Sequence, residues 1–350
     1  MILWRSSTVS LLKGHALALL VLLGCARGQP KSDATGGSSA MGSVPHSLPN
    51  VSSSVGSAVF QAVVRQKNYR VEFGRYALEV DPTDGGRTVV FSLDGKNFLL
   101  TRAESSDAYG SSFWPSPQSD WNWPPPIELD RAAWTVSEGS ITLTLNSGTN
   151  AKLGLSAEQR ISTDPVHGSV VIDYTLHNRG TESRRVAPWQ NTRVHPGGLT
   201  FFPSSTSSLA KSTLKVTPEA GMVWFRHDPA AQTKSVKTFV DGLEGWLAQI
   251  HGDLLFVKVF PDIPPAAQAP GEAEIEIYVD QSGKFVEMEQ QGAYSEIPPG
   301  ASSSWQVRWI LRRLPASIAA EPKNIKLVDL VRKLVGELRE SSPAVTEPHL

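Results

Sequence analysis

Apolar residues in this chain recur with period two, in short segments separated by glycine- and proline-bearing turns, and that pattern leaves little choice of fold. Tyr69-Arg70-Val71-Glu72-Phe73, Ser140-Ile141-Thr142-Leu143-Thr144-Leu145 and Glu272-Ala273-Glu274-Ile275-Glu276-Ile277-Tyr278-Val279 alternate polar with apolar side chains, as half-buried strands do. Val89-Val90-Phe91 and Leu254-Leu255-Phe256-Val257 are solidly apolar and suit strands covered on both faces. Asp84-Gly85-Gly86, Asp94-Gly95, Asn178-Arg179-Gly180, Pro196-Gly197-Gly198 and Pro298-Pro299-Gly300 punctuate the strands as turns. Many short strands with no helices between them predict an all-β fold, a large antiparallel sandwich. No internal repeat of fixed period is present. One amphipathic helix is expected near the C-terminus, where Leu327, Val331, Leu334 and Leu338 form an apolar stripe among charged residues. Its mixed charge favours packing on the sandwich over lying on a membrane surface.

The first 58 residues follow a different rule. Arg5 and Lys13 precede the apolar run 16–23, which is too short to span a bilayer comfortably and is typical of a secretory signal. The run ends in Leu22-Leu23-Gly24-Cys25, which resembles a bacterial lipobox, and Cys25 is the only cysteine in the chain. The expectation is cleavage before Cys25 and lipidation of its thiol. Ala26 in the next position favours an outer-membrane address. Residues 27–57 are rich in Ser, Gly and Pro and cannot bury enough apolar surface to offset their ordering entropy. They read as a flexible tether of about 30 residues, reaching roughly 30 Å. The expected organisation is a signal peptide over 1–24, lipidated cysteine and tether over 25–58, a β-sandwich domain over 59–318, and a helix and tail over 319–350. That chain would sit on the bacterial cell envelope, its membrane contact made through the lipid.

A formal net charge of −1 leaves no electrostatic footprint for nucleic acid. One cysteine supplies neither a disulfide framework nor a cysteine metal site. The histidines at 167, 177, 195, 227 and 251 show no close ligand spacing, so neither a metal nor another cofactor is expected. A phosphate-cradling glycine loop and a nucleophile elbow are both missing from the sequence. The sandwich is expected to be monomeric.

Three segments carry side chains suited to chemistry. In Ser112-Phe113-Trp114-Pro115-Ser116-Pro117-Gln118-Ser119-Asp120-Trp121-Asn122-Trp123-Pro124-Pro125-Pro126 the five prolines predict a rigid extended loop. Trp114, Trp121 and Trp123 on such a loop either plug a core or line a concave site, where indole faces stack on pyranose rings and Gln118, Asp120 and Asn122 bond hydroxyls. In Ala187-Pro188-Trp189-Gln190-Asn191-Thr192-Arg193-Val194-His195, strand alternation puts Trp189, Asn191, Arg193 and His195 on one side. In Phe285-Val286-Glu287-Met288-Glu289, Val286 and Met288 point inward while Phe285, Glu287 and Glu289 face the other way. Two glutamates one pleat apart can raise one carboxyl towards general-base use. Lys258, a charge inside Phe256-Val257-Lys258-Val259-Phe260, is either an edge-strand gatekeeper or a site cation.

Leu78-Glu79-Val80-Asp81-Pro82 with Gly85-Gly86-Arg87-Thr88 resembles the first hairpin of galactose-mutarotase-like (aldose 1-epimerase-like) proteins. Trp114-Pro115-Ser116-Pro117-Gln118, Val186-Ala187-Pro188-Trp189, the run 197–203, Phe285–Glu289 and Pro299-Gly300 make the chain look closest to an uncharacterised bacterial lipoprotein branch, over about residues 69–315. The resemblance implies a large antiparallel supersandwich with a carbohydrate-facing concave sheet. Its epimerases open and close the sugar ring with a histidine acid and a glutamate base. Carried over, these roles would fall to His195 and to Glu287 or Glu289, although the asparagine-rich strand that presents the family's histidine is not present as such.

The leading expectation is therefore an envelope lipoprotein whose sandwich binds a sugar or oligosaccharide, with Trp114, Gln118, Trp121, Trp123, Trp189, Arg193 and Lys258 as ligand-binding residues. An epimerase using His195, Glu287 and Glu289 is the first alternative. A structural envelope protein without a ligand is the second.

Overall fold

The computed structural model describes residues 62–65, 67–204 and 212–340. Cys25, the signal and the tether expected before residue 59 lie outside the described residues. Among the described residues no helix is long and apolar enough to cross a membrane.

Two antiparallel sheets carry the fold. The first runs in the order Ala62–Arg65, Asn68–Phe73, Tyr76–Asp81, Arg87–Leu93, Ser111–Ser116, Arg184–Val194, Val286–Gln291, Ile275–Val279 and Val236–Val240. The short strands Lys96–Asn97 and Ser295–Ile297 pair with Arg87–Leu93 and Arg184–Val194 respectively. The second runs Thr217–Glu219, Met222–Arg226, Leu199–Pro203, Trp246–His251, Leu254–Val259, Ser302–Arg313, Ser169–Asn178, Leu155–Asp164, Leu143–Asn146 and Thr135–Glu138. The expected antiparallel sandwich is the observed one.

The inner faces meet as period two dictates. Phe91, Phe113, Ile277, Val286 and Met288 of the first sheet share one buried core with Tyr174, Phe256, Val307 and Trp309 of the second. Phe113 stacks on Tyr174 at 4.2 Å between ring centroids, and Phe91 packs on Trp309 at 5.6 Å. A polar seam crosses this core. Gln190 donates to the Tyr174 hydroxyl at 2.6 Å, and its carbonyl accepts from Trp309 Nε1 at 3.1 Å and Gln290 Nε2 at 2.6 Å. Buried hydrogen bonds of this kind fix the register of one sheet on the other.

The C-terminal helix spans Ile325–Glu340 and packs on the outer face of the second sheet. Leu327, Val328, Val331, Val335 and Leu338 are buried against Phe201, Trp224, Trp246 and Val257, while Leu334 is only half-buried. The stripe is thus turned slightly from the predicted one, and it covers the second face of Leu254–Val259, which explains why that strand is apolar on both sides.

The proline-rich segment corrects the expectation of a loop. Ser111–Ser116 is a strand inside the first sheet, and Pro115 stands directly across from Pro188. Pro188 O accepts from Gly292 N, and Pro115 O accepts from the Trp121 indole. Each proline therefore turns its backbone away from the other, so the two missing N–H groups remove no bond from their shared ladder. The chain leaves the sheet only at Pro117, through a 3-10 turn over Gln118–Asp120 and a short helix over Ile127–Asp130.

Candidate functional site

The outer face of the first sheet is polar, and its side chains follow from alternation. Where Phe113, Gln190, Thr192, Met288 and Ile277 point inward, their neighbours Trp114, Trp189, Asn191, Arg193, Glu287, Glu289 and Glu276 point out. Register places Asn191 opposite Glu289, Arg193 opposite Glu287, and Glu276 opposite Glu289 on the other side. The last strand of the sheet, Val236–Val240, adds Lys237 and Phe239 to the same face.

Lys237 is the electrostatic centre. Its Nζ lies 2.5 Å from Glu276 Oε2 and 3.1 Å from Glu289 Oε2, and 4.9 Å from the centroid of the Trp189 ring. Both glutamates are buried. Burial alone would lower the lysine's affinity for its proton; the two carboxylates outweigh that and push it up. Glu289 is pushed up to about 7, first by burial and then by the Glu287 charge, with Lys237 opposing. Burial likewise raises Glu276 well above the usual carboxylate range. Arg193 forms the second ion pair: Nε lies 2.9 Å from Glu287 Oε1, one terminal nitrogen donates to Ser112 Oγ at 2.5 Å, and the guanidinium sits 4.9 Å over the Trp114 ring.

Between these pairs stand polar atoms that the protein leaves unused. Asn191 is 1% exposed, yet neither its Nδ2 nor its Oδ1 has a hydrogen-bond partner; Trp189 Nε1 and Glu289 Oε1 are also buried and unpartnered. A buried polar group without a partner costs about 1–3 kcal/mol. Four such atoms stand on neighbouring residues of two paired strands, where a water or a ligand group could satisfy them.

The tryptophans form one cluster. Trp114 lies 5.5 Å from Trp189, 6.1 Å from Trp121 and 6.2 Å from Trp123, all edge to face. Trp114, Trp121 and Trp189 are buried by this packing, whereas Trp123 is 60% exposed. A buried relay holds Trp114 in place: its Nε1 donates to Asp130 Oδ1 at 2.8 Å, which also accepts from Arg87 at 3.1 Å. Gly85 makes the relay possible. Its φ is +69°, and a Cβ there would fall 2.1 Å from Asp130 O, so the first hairpin turn must be glycine for Asp130 to approach.

The remaining predicted residues sit elsewhere. Gln118 is half-buried, and its backbone N donates to Glu272 Oε1 at 3.0 Å. His195 falls just beyond the strand, which ends at Val194; its Nδ1 lies 3.3 Å from Glu104, and its ring stacks on His251 at 5.2 Å. The structure therefore places Glu287 with Arg193 and Glu289 with Lys237, and gives His195 other neighbours. Lys258 is corrected on both readings. Its strand is central, and period two turns Lys258 inward with Leu254 and Phe256. Its Nζ donates to Thr192 Oγ1 at 2.8 Å and Met288 O at 3.1 Å inside the sandwich, where burial pushes it well below the ordinary lysine value. Asn191 lies on this face with Trp189 and Arg193, as alternation predicts, whereas sequence reasoning missed Lys237 and Glu276, although Glu276 stands between Ile275 and Ile277 in an alternating segment.

The model of a family described as a domain of unknown function, DUF4380, matches residues 67–312, a stretch that includes every residue of this face. The chain belongs to that family. Among curated proteins, none matches the sequence. The DUF4380 fold is similar to that of the Slr1438 protein from Synechocystis sp. PCC 6803, at TM-score 0.50 and 13% identity over 71% of this chain and 97% of that one. It is also similar to a TPR-domain containing protein from Parabacteroides distasonis ATCC 8503, at TM-score 0.50 and 12% identity over 73% and 49%. A galactose mutarotase-like protein from Clostridium acetobutylicum matches at TM-score 0.49 and 10% identity over 73% and 98%. Further matches are described as a putative aldose 1-epimerase, a galactose mutarotase-like protein and a galactose 1-epimerase. At these identities the likeness is one of fold.

Proposed function

We propose that this DUF4380 chain binds a saccharide on the outer face of its first sheet. The observation that carries the reading is the group of unpartnered buried atoms on Asn191, Trp189 and Glu289. Sugar hydroxyls both donate and accept at close spacing, and an asparagine amide beside an indole N–H and a carboxylate oxygen offers the matching set. A saccharide is also the ligand class that the sequence resemblance implies. Anchoring through Cys25 at the cell envelope belongs to the same proposal and rests on the leader sequence alone. Calorimetric titration with a panel of neutral sugars tests the binding. At least one sugar should bind the parent chain, and Asn191→Ala should weaken it tenfold or more, the loss expected from two hydrogen bonds. No heat with any saccharide would refute the proposal.

Glu289 favours a second reading, an aldose 1-epimerase-type isomerase. A carboxyl pushed up to about 7 exchanges protons readily near neutral pH, as general acid–base work requires. Polarimetry on freshly dissolved anomers should then show acceleration that Glu289→Gln removes; a rate equal to buffer would dismiss it.

A further inference from the structure

The tryptophan cluster is graded in exposure, and the one open ring sits at its outer end. Trp189 is sealed beneath Lys237 and Trp114 under Arg193, so neither offers a free face for stacking. Trp123 contacts the cluster through Trp114 at 6.2 Å and is 60% exposed. An indole left open beside buried ones presents an amphipathic ring face to an approaching ligand. The segment that carries it is stiff: Asn122 adopts a left-handed φ of 59°, and Pro124, Pro125 and Pro126 follow, each with a fixed φ. The ring is thus held out beside the polar face at little entropic cost.

The cations of the face add a second constraint. Lys237 is engaged by Glu276 and Glu289, and Arg193 by Glu287. Both cations of the face are thus already engaged by the chain's own side chains, and neither is left free to pair with a phosphate or carboxylate on the ligand.

We propose that the ligand is an uncharged oligosaccharide, with one sugar residue hydrogen-bonded at Asn191 and the next stacked on Trp123. This rests on the saccharide reading above and specifies the class. The unit at Asn191 is recognised by hydrogen bonds; the outer unit is recognised by its apolar ring face, which tolerates variation in hydroxyl configuration.

The test is calorimetry on the full chain with glucose, galactose, mannose and N-acetylglucosamine, each beside its β-1,4-linked trisaccharide, with glucuronic acid and glucose 6-phosphate as charged comparators. The expected result is a trisaccharide bound roughly tenfold tighter than its monosaccharide, a gain that Trp123→Ala removes and Trp123→Phe largely keeps. Equal affinity for mono- and trisaccharide, unaffected by Trp123→Ala, overturns this inference and leaves the saccharide reading intact. Tighter binding of either charged comparator overturns the uncharged class. Silence across the whole panel overturns the saccharide reading itself, and this inference with it.

Discussion

Replacing Lys237 by methionine leaves Glu276 and Glu289 buried and facing each other without their cation. Both carboxylates are within about one per cent of complete burial, and the lysine is their shared partner at 2.5 and 3.1 Å. Removing one partner of a buried ion pair typically costs about 3–5 kcal/mol, because the charge left behind has lost its solvent and its counter-ion together. The cost must depend on pH, and its sign follows from Glu289. A carboxyl whose folded-state value is raised above the unfolded one holds its proton more tightly in the folded chain. Stability therefore falls as pH climbs from the ordinary glutamate value of about 4.3 towards the value near 7 reached by Glu289. In the parent chain Lys237 limits that fall; in Lys237→Met nothing does. Urea unfolding should accordingly show a loss of about 3–5 kcal/mol at pH 8 that shrinks to about 1–2 kcal/mol at pH 5, where the carboxyls are protonated and only hydrogen bonds are lost. Adding Glu276→Gln and Glu289→Gln should recover much of the pH 8 deficit. A deficit equal at both pH values, with no recovery in the triple variant, would refute the electrostatic argument.

Asn191→Leu replaces an amide with no protein partner by an apolar group of similar size, so it should hold stability level or raise it by about 1–3 kcal/mol in urea unfolding while abolishing saccharide binding. Lys258 is held below the ordinary lysine value by burial, so its unfolded form binds the extra proton and stability should rise with pH up to the unfolded value of about 10.4. Lys258→Met should flatten that rise, measured between pH 7 and pH 10. Leu327→Ala, at the fully buried start of the helix stripe, should cost about 2–5 kcal/mol in the same unfolding experiment, without changing ligand affinity.

Much of the fold was legible because one face of each strand is buried, and burial writes itself into the sequence with period two. Val286 and Met288 inward with Glu287 and Glu289 outward, or Trp189, Asn191 and Arg193 on a shared face, needed nothing but alternation. Alternation does not report where a strand stops. His195 continues the pattern on paper, but the strand ends at Val194, and the side chain turns to Glu104 and His251 instead. It also does not tell one buried face from another, so Lys258 could be placed on its strand but not in the space between the sheets. Proline rules misled at Pro115 because their premise is a lost hydrogen bond, and none is lost when the residue opposite is Pro188. Lys237 and Glu276 were out of reach for a different reason. Their strands are separated by some forty residues of sequence, and only the pairing of Val236–Val240 with Ile275–Val279 brings the lysine to the glutamates.

The central claim is that the outer face of the first sheet receives a sugar at Asn191. A crystal structure of the chain soaked with the tightest-binding saccharide tests it most directly. The account predicts a sugar ring on that face, with hydroxyls at hydrogen-bond distance from Asn191 Nδ2 and Oδ1, from Trp189 Nε1 and from Glu289 Oε1. A saccharide bound elsewhere on the molecule, with those four atoms still unpartnered, would contradict it.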